Sequence, residues 1–539
     1  MVTLQSSPAS DDTSINSQMS QQKANDLISW VRTYANKRIN SRLIDERRCI
    51  PPYIILDFGN QGLLGMQVQK KYGGLALTNV DSLRVVEQLA GIDIALATFV
   101  VINSFLGIRT IERYATDTFR EEILSNLATG RELAAFALTE PGAGSNPRAI
   151  SATGIMQQQG QWLLQGQKSW IGLGSWAGVV NVFVQLYDEQ NKPAGITGFA
   201  VRQLTPGLNH GLEALTMGMR GIVQNAVHLE DVLVNETNLL GQIGSGMTVA
   251  QDVMLYTRLA IAAKSVGAMK RCAQLMLKYA TGRDIGTGKL MDNPVTLVRM
   301  SNLTAAITAV ETLVYGLAEL LDRGVSVPTE AYIACKTSGP EFLGQAADDL
   351  IQLLGGRGYI ETNIAPQILR DARIFRIFEG PTETLNMFFG SSLVRPRKEL
   401  ERFFCEQLAA VDLWNDLTNK LQEIYERWSV SVEPFANKSS ARSWAFTLMG
   451  ELGTYGFLLA MLQGKYNVSP SPELARAITW TQAQFDFTFS KALKGSPVTS
   501  AYQNADENQA LISSYTESIG ELEQTLPGED YALDYLLKQ

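Results

Sequence analysis

Glu379 is the carboxylate whose neighbours do most to change its chemistry. It follows the run Ile374-Phe375-Arg376-Ile377-Phe378 and precedes Gly380-Pro381. An apolar, water-poor setting disfavours the charged form of a carboxyl group and makes the carboxylate a stronger base. A plainer role is also open, because Arg370, Arg373 and Arg376 lie close enough in sequence to pair with it. A second segment, Phe136-Ala137-Leu138-Thr139-Glu140-Pro141-Gly142-Ala143-Gly144-Ser145-Asn146, joins small residues to two hydroxyls. Small residues let backbone amides approach a ligand, so such a loop suits a phosphate or the polar edge of a ring. A simple turn explains the same glycines. In Gly166-Gln167-Lys168-Ser169-Trp170-Ile171-Gly172, Trp170 opens a strand. A tryptophan there belongs more often to the core than to a cofactor wall, although its face can stack on a planar group. The run Gln352-Leu353-Leu354-Gly355-Gly356-Arg357-Gly358-Tyr359 reads as a helix end closed by glycine. No strand precedes it, so it is not a dinucleotide fingerprint.

What the chain lacks narrows the chemistry further. Its two histidines, His210 and His228, cannot build a histidine-rich metal site. Cys49, Cys272, Cys335 and Cys405 are far apart and form no CxxC pair, which argues against a zinc cage or a disulfide framework. No metal is expected, and the thiols read as reduced, in a cytoplasmic protein. An enzyme built this way works with carboxylates, hydroxyls, backbone amides or an organic cofactor. The 46 Lys and Arg against 54 Asp and Glu give a net charge of -8, which does not favour a nucleic-acid partner.

The elements that must position these residues follow from periodicity. At about 100–200 residues per domain, 539 residues suggest three or four domains. Residues 1–22, rich in Ser, Gln and Asp, are expected to be disordered. Residues 23–131 carry helical spacing, as in Leu27, Ile28, Val31 and Tyr34. Residues 132–240 change to short β-prone runs, Gln161 to Leu164, Val179 to Leu186 and Gly195 to Val201, and predict an antiparallel β domain. Residues 241–395 return to helix, with long candidates at Met300 to Leu321 and Thr329 to Leu354. Residues 396–539 predict a further helical block. Its stripe of Leu400, Phe404, Leu408, Val411, Trp414, Leu417, Leu421, Ile424 and Trp428 reads as core or partner surface. Charges break every apolar run before roughly 18 residues, so no membrane span is expected. The fold class is mainly α with one β domain.

Taken together and in order, these segments resemble the acyl-CoA dehydrogenase family. The resemblance runs from about Gln22 to Val394 and rests on Ala137 to Asn146, Gln352 to Tyr359 and Arg370 to Gly380. Met217 to Gly221 and Asn238 to Gly241 lie between them. The wording of Arg373 to Gly380 and the C-terminal block are most similar to the very-long-chain branch. The resemblance implies an N-terminal helical domain, a β domain and a second helical bundle. It also implies FAD-dependent α,β-dehydrogenation of an acyl thioester, on CoA or on a carrier protein. Glu379 matches the base that takes the α-proton while hydride passes to the flavin. The alternative base position of the family is Thr257 here. Phe136, Leu138, Thr139, Gly144, Ser145, Trp170, Ile171 and Gly172 match flavin-contacting positions, and Arg283 matches a diphosphate contact. Gln352, Gly355, Gly356 and Glu383 belong to the expected cofactor set, the glycine run reaching the FAD of a neighbouring subunit. Ser145, Arg258 and Gly380 fall at substrate positions. The implied partners are an electron-transfer flavoprotein and a second copy of the chain, with room for peripheral membrane association.

The chain departs from the family pattern around the cofactor. Gly172 stands where a threonine hydroxyl is usual, and Pro381 replaces the threonine after the Glu-Gly pair. Gly286 and Pro294 replace a phenylalanine and a glutamine, and Asn146 replaces an aspartate. Two other functions share the fold: a non-enzymatic assembly or acyl-binding protein, and a flavin oxidase or oxygenase.

Overall fold

The structure is a computed structural model that describes residues 10–394, 398–429, 435, 437–494 and 505–520, with side chains from position 17 onward. The chain divides into two compact units. The first comprises Met1–Asn293, Ala318–Val325 and Leu343–Phe375, and the second Pro294–Leu317, Ser326–Phe342 and Arg376–Gln539.

The first unit opens with helices α1 (Ser10–Arg38), α2 (Ser41–Arg47), α3 (Pro52–Asn60), α4 (Asn79–Ile92), α5 (Ile94–Val100), α6 (Arg109–Tyr114) and α7 (Asp117–Ala128). Side-chain caps fix where several begin. Thr78 Oγ1 accepts from Asp81 N at the start of α4, and Asp93 Oδ1 from Leu96 N at 2.8 Å at the start of α5. Helix α1 takes in positions 10–22, which were expected to be disordered. Composition misleads there because long-range contacts hold the polar stretch: Ser20 is buried and its hydroxyl donates to Asp81 Oδ2 at 2.6 Å.

The β region contains β1 (Ala134–Ala137), β2 (Thr153–Gln158), β3 (Gln161–Gly172), β4 (Val179–Tyr187), β5 (Pro193–Arg202), β6 (Leu208–Glu213), β7 (Gln224–Asn235) and β8 (Leu239–Leu240). The sheet order is β6-β7-β3-β2-β4-β5-β8, with β1 also on β4. Most pairings are antiparallel, but β4 takes both β1 and β2 in parallel. The stretch Val179 to Val184, apolar except for Asn181, is buried throughout, as a strand covered on both faces must be. The long helix α8 (Gly246–Gly282) follows, then the hairpin β9 (Asp284–Ile285) and β10 (Gly288–Lys289).

Helices α9 (Pro294–Asp322) and α10 (Thr329–Leu354) contribute to both units, and α11 (Ile364–Arg373) closes the first. The second unit adds α12 (Thr382–Leu393), α13 (Lys398–Arg402), α14 (Val411–Ser429), α15 (Lys438–Val468), α16 (Pro472–Lys494) and α17 (Ala505–Ile519). The expected C-terminal stripe is core, with Leu417, Leu421, Ile424 and Trp428 buried. A π-helical turn at Phe403–Gln407 and a left-handed Ala409 interrupt it, and this leaves Val411 exposed.

Helices α12 and α15 pack backbone to backbone. A Cβ on Gly390 would overlap the carbonyl of Phe446, and one on Gly450 would overlap the carbonyl of Asn386. Neither backbone can yield as a side-chain tip would. Gly450→Ala should therefore cost about 1–3 kcal/mol, read as a melting temperature lower by several degrees.

Among the described residues, three helical stretches are long and apolar enough to cross a membrane, contrary to the expectation of none. They are Ile94–Tyr114, Pro294–Asp322 and Lys438–Val468, whose most apolar windows are 89%, 61% and 78% buried inside the protein. The sequence criterion sought uninterrupted runs, whereas these helices tolerate single polar residues. Their coverage is that of core helices, which are apolar nearly all round.

Candidate active site

Glu379 sits in the second unit, between a 3-10 turn at Ile374–Arg376 and helix α12. Its backbone is left-handed, with φ 58°, and Gly380 follows at φ 103°. A non-glycine residue in that region carries roughly 1–3 kcal/mol of strain and persists only where its surroundings hold it. The holding contacts come from α10. Arg376 pairs with Glu341, Nε to Oε2 at 3.1 Å, and Thr382 Oγ1 donates to Glu341 Oε1 at 2.8 Å. The Glu379 side chain is half-buried. Pro381 acts as the cap of α12, accepting from Leu385 N at 2.9 Å, as the Gly-Pro break predicts. Glu383 is exposed in the first turn of α12, and Gly380 is half-buried.

In the first unit, β1 and the end of β3 bring the expected flavin-contacting residues together. Ser169 N donates to Thr139 O at 2.9 Å, which sets the loop after β1 beside Trp170. The register of β3 on β7 shifts between Lys168 and Ile171. This bulge puts Trp170 at φ 55° and turns it out of the strand alternation. Trp170 lies near the end of β3, not at its opening, and is 46% exposed, so of the two roles open to it in sequence it does not take the core one. Ile171 is buried beneath it. Phe136 packs on Phe183 at 4.9 Å between ring centres, and Leu138 is buried. Gly144 and Ser145 are exposed, and a Cβ on Gly144 would meet nothing within 4 Å. A Cβ on Gly172 would meet chiefly the tip of Ile102.

Two residues that sequence reasoning missed hold this loop in shape. Glu140 and Lys168 are buried at 2% and 0% side-chain exposure and pair at 2.6 Å. Glu140 also accepts from the Ser151 hydroxyl at 2.7 Å and from Ala152 N at 3.0 Å. Lys168 reaches Leu138 O at 3.3 Å. Burial pushes the Glu140 carboxyl up, but the Lys168 ammonium and the Ser151 donors more than offset it and hold it below the usual range. Glu140 lay inside the motif, but nothing in sequence links it to a lysine 28 positions away.

Within the first unit, the Met217 to Gly221 segment locks onto Arg370 and Asp371. A Cβ on Gly218 would overlap the backbone of Arg370, and Met219 N donates to Asp371 Oδ1 at 2.6 Å. Arg370 binds Asp45 and, at 2.7 Å, Glu361. Asp371 and Asp93 line a cavity of about 20 Å³, the size of one water molecule. Burial, and then the nearby Asp93, raise Asp371 to about 8. A carboxyl raised in the folded state adds stability that is complete below its unfolded value of 3.8 and is lost as pH rises through about 8. The urea midpoint should thus fall between pH ~5 and ~8, and Asp371→Asn should flatten that fall. Each tenfold difference in proton affinity between the folded and unfolded chain corresponds to ~1.4 kcal/mol.

The remaining expected residues lie apart from these clusters in the chain. Thr257 is buried on α8, its hydroxyl donating to Val253 O at 3.3 Å, and Arg258 beside it is half-buried. Arg283 caps the end of α8 and is exposed. Gln352, Gly355 and Gly356 lie at the end of α10, where all three are exposed and Gly355 is left-handed at φ 59°, as a helix-closing glycine must be. Among the described residues no cluster of His, Cys, Asp and Glu can hold a metal.

Comparison with known proteins places these features in one family. The N-terminal, middle and C-terminal domain models of acyl-CoA dehydrogenase match residues 21–131, 135–232 and 244–393 in order. The chain is 31% identical over 333 residues to a very long-chain specific mitochondrial acyl-CoA dehydrogenase of Rattus norvegicus, covering 61% of this chain and 51% of that protein. It thus spans about half the length of the very long-chain relatives it matches. It is 28% identical over 366 residues to an acyl-CoA dehydrogenase of Bacillus subtilis, covering 68% of this chain and 96% of the relative. The solved structure of an acyl-CoA dehydrogenase complexed with FAD from Bacillus anthracis overlays with a TM-score of 0.71 at 20% identity, covering 95% of this chain and 92% of the other. The helical, β and helical domains, in this order and with these motifs, make the chain a member of the acyl-CoA dehydrogenase family.

Proposed function

We propose that this protein is an FAD-dependent dehydrogenase of acyl thioesters, with Glu379 as the base. The observation that carries the reading is Glu379 itself. It is a half-buried carboxylate held in a strained backbone by contacts from α10. Strain of this kind is maintained where a side chain must be aimed.

The residues present fit the cofactor. Trp170 offers an exposed aromatic face, Gly144 leaves room for close approach, and Thr139 and Ser145 bring hydroxyls to the same loop. Ile171 and Gly172 support that wall, and the Glu140–Lys168 pair fixes its shape. When bound, FAD supplies the two-electron acceptor for a hydride from Cβ, which no side chain can replace. Glu379 takes the α-proton onto its carboxylate oxygen. Backbone donors favour the charge that develops on the thioester carbonyl. Gly355 and Gly356, both exposed, and Gln352 beside them suit contact with a second copy of the chain. The acyl group rides on CoA or on a carrier protein's pantetheine arm, and the electrons leave to an electron-transfer flavoprotein.

Mass spectrometry tests the reading. With an artificial electron acceptor, an acyl-CoA should lose two hydrogens to become the 2-enoyl thioester. An unchanged thioester across a range of chain lengths would sink the proposal. Gly172 and Pro381 favour one other reading, a binding protein with weakened flavin contacts. It expects a folded protein that holds acyl-CoA without colour.

A further inference from the structure

We propose that Lys336 is a positioning residue for the Glu379 carboxylate, a role that rests on the dehydrogenase reading above. Lys336 lies on α10 and is fully buried. Its Nζ donates to the carbonyl of Gly380 at 3.1 Å. That carbonyl belongs to a peptide bond with unusual constraints. The next residue is Pro381, which has no N–H, so the Gly380–Pro381 peptide offers one hydrogen-bonding group only. Lys336 engages that group. On the other side Glu379 and Gly380 are consecutive left-handed residues, at φ 58° and 103°. Glycine at such a position has many conformations of similar energy, so its own preferences do not fix the peptide plane. A buried ammonium bonded to the carbonyl does fix it, and a charge-assisted bond is about twice as strong as a neutral one.

The same helix supplies the other restraints. Glu341, five positions on, holds Arg376 and Thr382, which flank Glu379 three residues to either side. Arg376 also donates to Glu341 O at 3.1 Å. Helix α10 therefore grips the segment before, after and next to the base. Lys336 holds the residue next to Glu379 in the chain, and its charge acts on the backbone that aims Glu379.

The test compares wild type, Lys336→Met and Lys336→Arg as purified FAD-containing proteins, reduced anaerobically by an acyl-CoA. Lys336→Met should keep its flavin and bleach ~100-fold more slowly at saturating thioester, with the half-saturating concentration nearly unchanged. Lys336→Arg, which keeps the charge and the donor, should recover to within ~10-fold of wild type. Rates are expressed per bound flavin, so a merely structural loss leaves them unmoved. If Lys336→Met does not fold, Lys336→Gln, which keeps a neutral donor without the charge, should slow bleaching ~10-fold under the same conditions. Wild-type rates per flavin in Lys336→Met, or in Lys336→Gln where it stands in, overturn the positioning role alone. A wild-type protein that no acyl-CoA bleaches overturns the dehydrogenase reading, and the role of Lys336 with it.

Discussion

Glu379→Gln should keep its fold and its FAD and bleach about 10³-fold more slowly with an acyl-CoA, the usual scale for removing a general base. Glutamine has the same shape, so the left-handed backbone at φ 58° and the contacts of Glu341 to Arg376 and Thr382 remain. Only the proton acceptor is lost. No neighbouring position on the family pattern can replace it, because Thr257 carries a buried hydroxyl already bonded to Val253 O. Stopped-flow absorbance of the flavin band measures the effect. A Glu379→Gln protein that bleaches as fast as wild type would remove Glu379 from the chemistry while leaving the fold assignment intact.

Lys168→Met should destabilise the first unit by ~3–5 kcal/mol, the cost of stranding a buried charge. It leaves Glu140 at 2% exposure without its ammonium. The remaining donors, from Ser151 and Ala152, satisfy the carboxylate only in part. Because Glu140 and Lys168 shape the loop that carries Thr139 and Ser145, flavin content should fall along with melting temperature. The double variant Lys168→Met, Glu140→Gln removes both charges and should regain part of the loss. Acid acts on the same pair. Glu140 is held below the usual carboxylate range, so its contribution is present above its unfolded value and is lost as pH falls through the depressed one. A Lys168→Met protein as stable as wild type would show that the pair contributes nothing net.

The long elements are legible in the sequence because their patterns are local. The helical spacing of Thr329 to Leu354 has the limits of α10, and the glycines after it close it with a left-handed Gly355. The β texture of Gln161 to Val201 corresponds to β3, β4 and β5. What is not legible depends on distant partners or on backbone conformation. Residue type leaves Trp170 open between core and cofactor wall, and the bulge that turns it outward leaves no mark in composition. Lys168 and Lys336 look like surface lysines in sequence, yet both are fully buried. Their partners, Glu140 and the carbonyl of Gly380, are 28 and 44 positions away. Glu379 stands out by its neighbours, but its left-handed backbone and its grip by α10 do not. The polar stretch of positions 10–22 misleads for the same reason: the contact of Ser20 with Asp81 spans 61 positions.

Oxidation of acyl thioesters by this chain is tested by anaerobic titration of the wild-type protein with acyl-CoA thioesters of graded chain length. The protein should be yellow, with a flavin band that bleaches with at least one thioester, to an end point set by stoichiometry. A folded protein that stays fully oxidised with every thioester, or that carries no flavin at all, would contradict that activity.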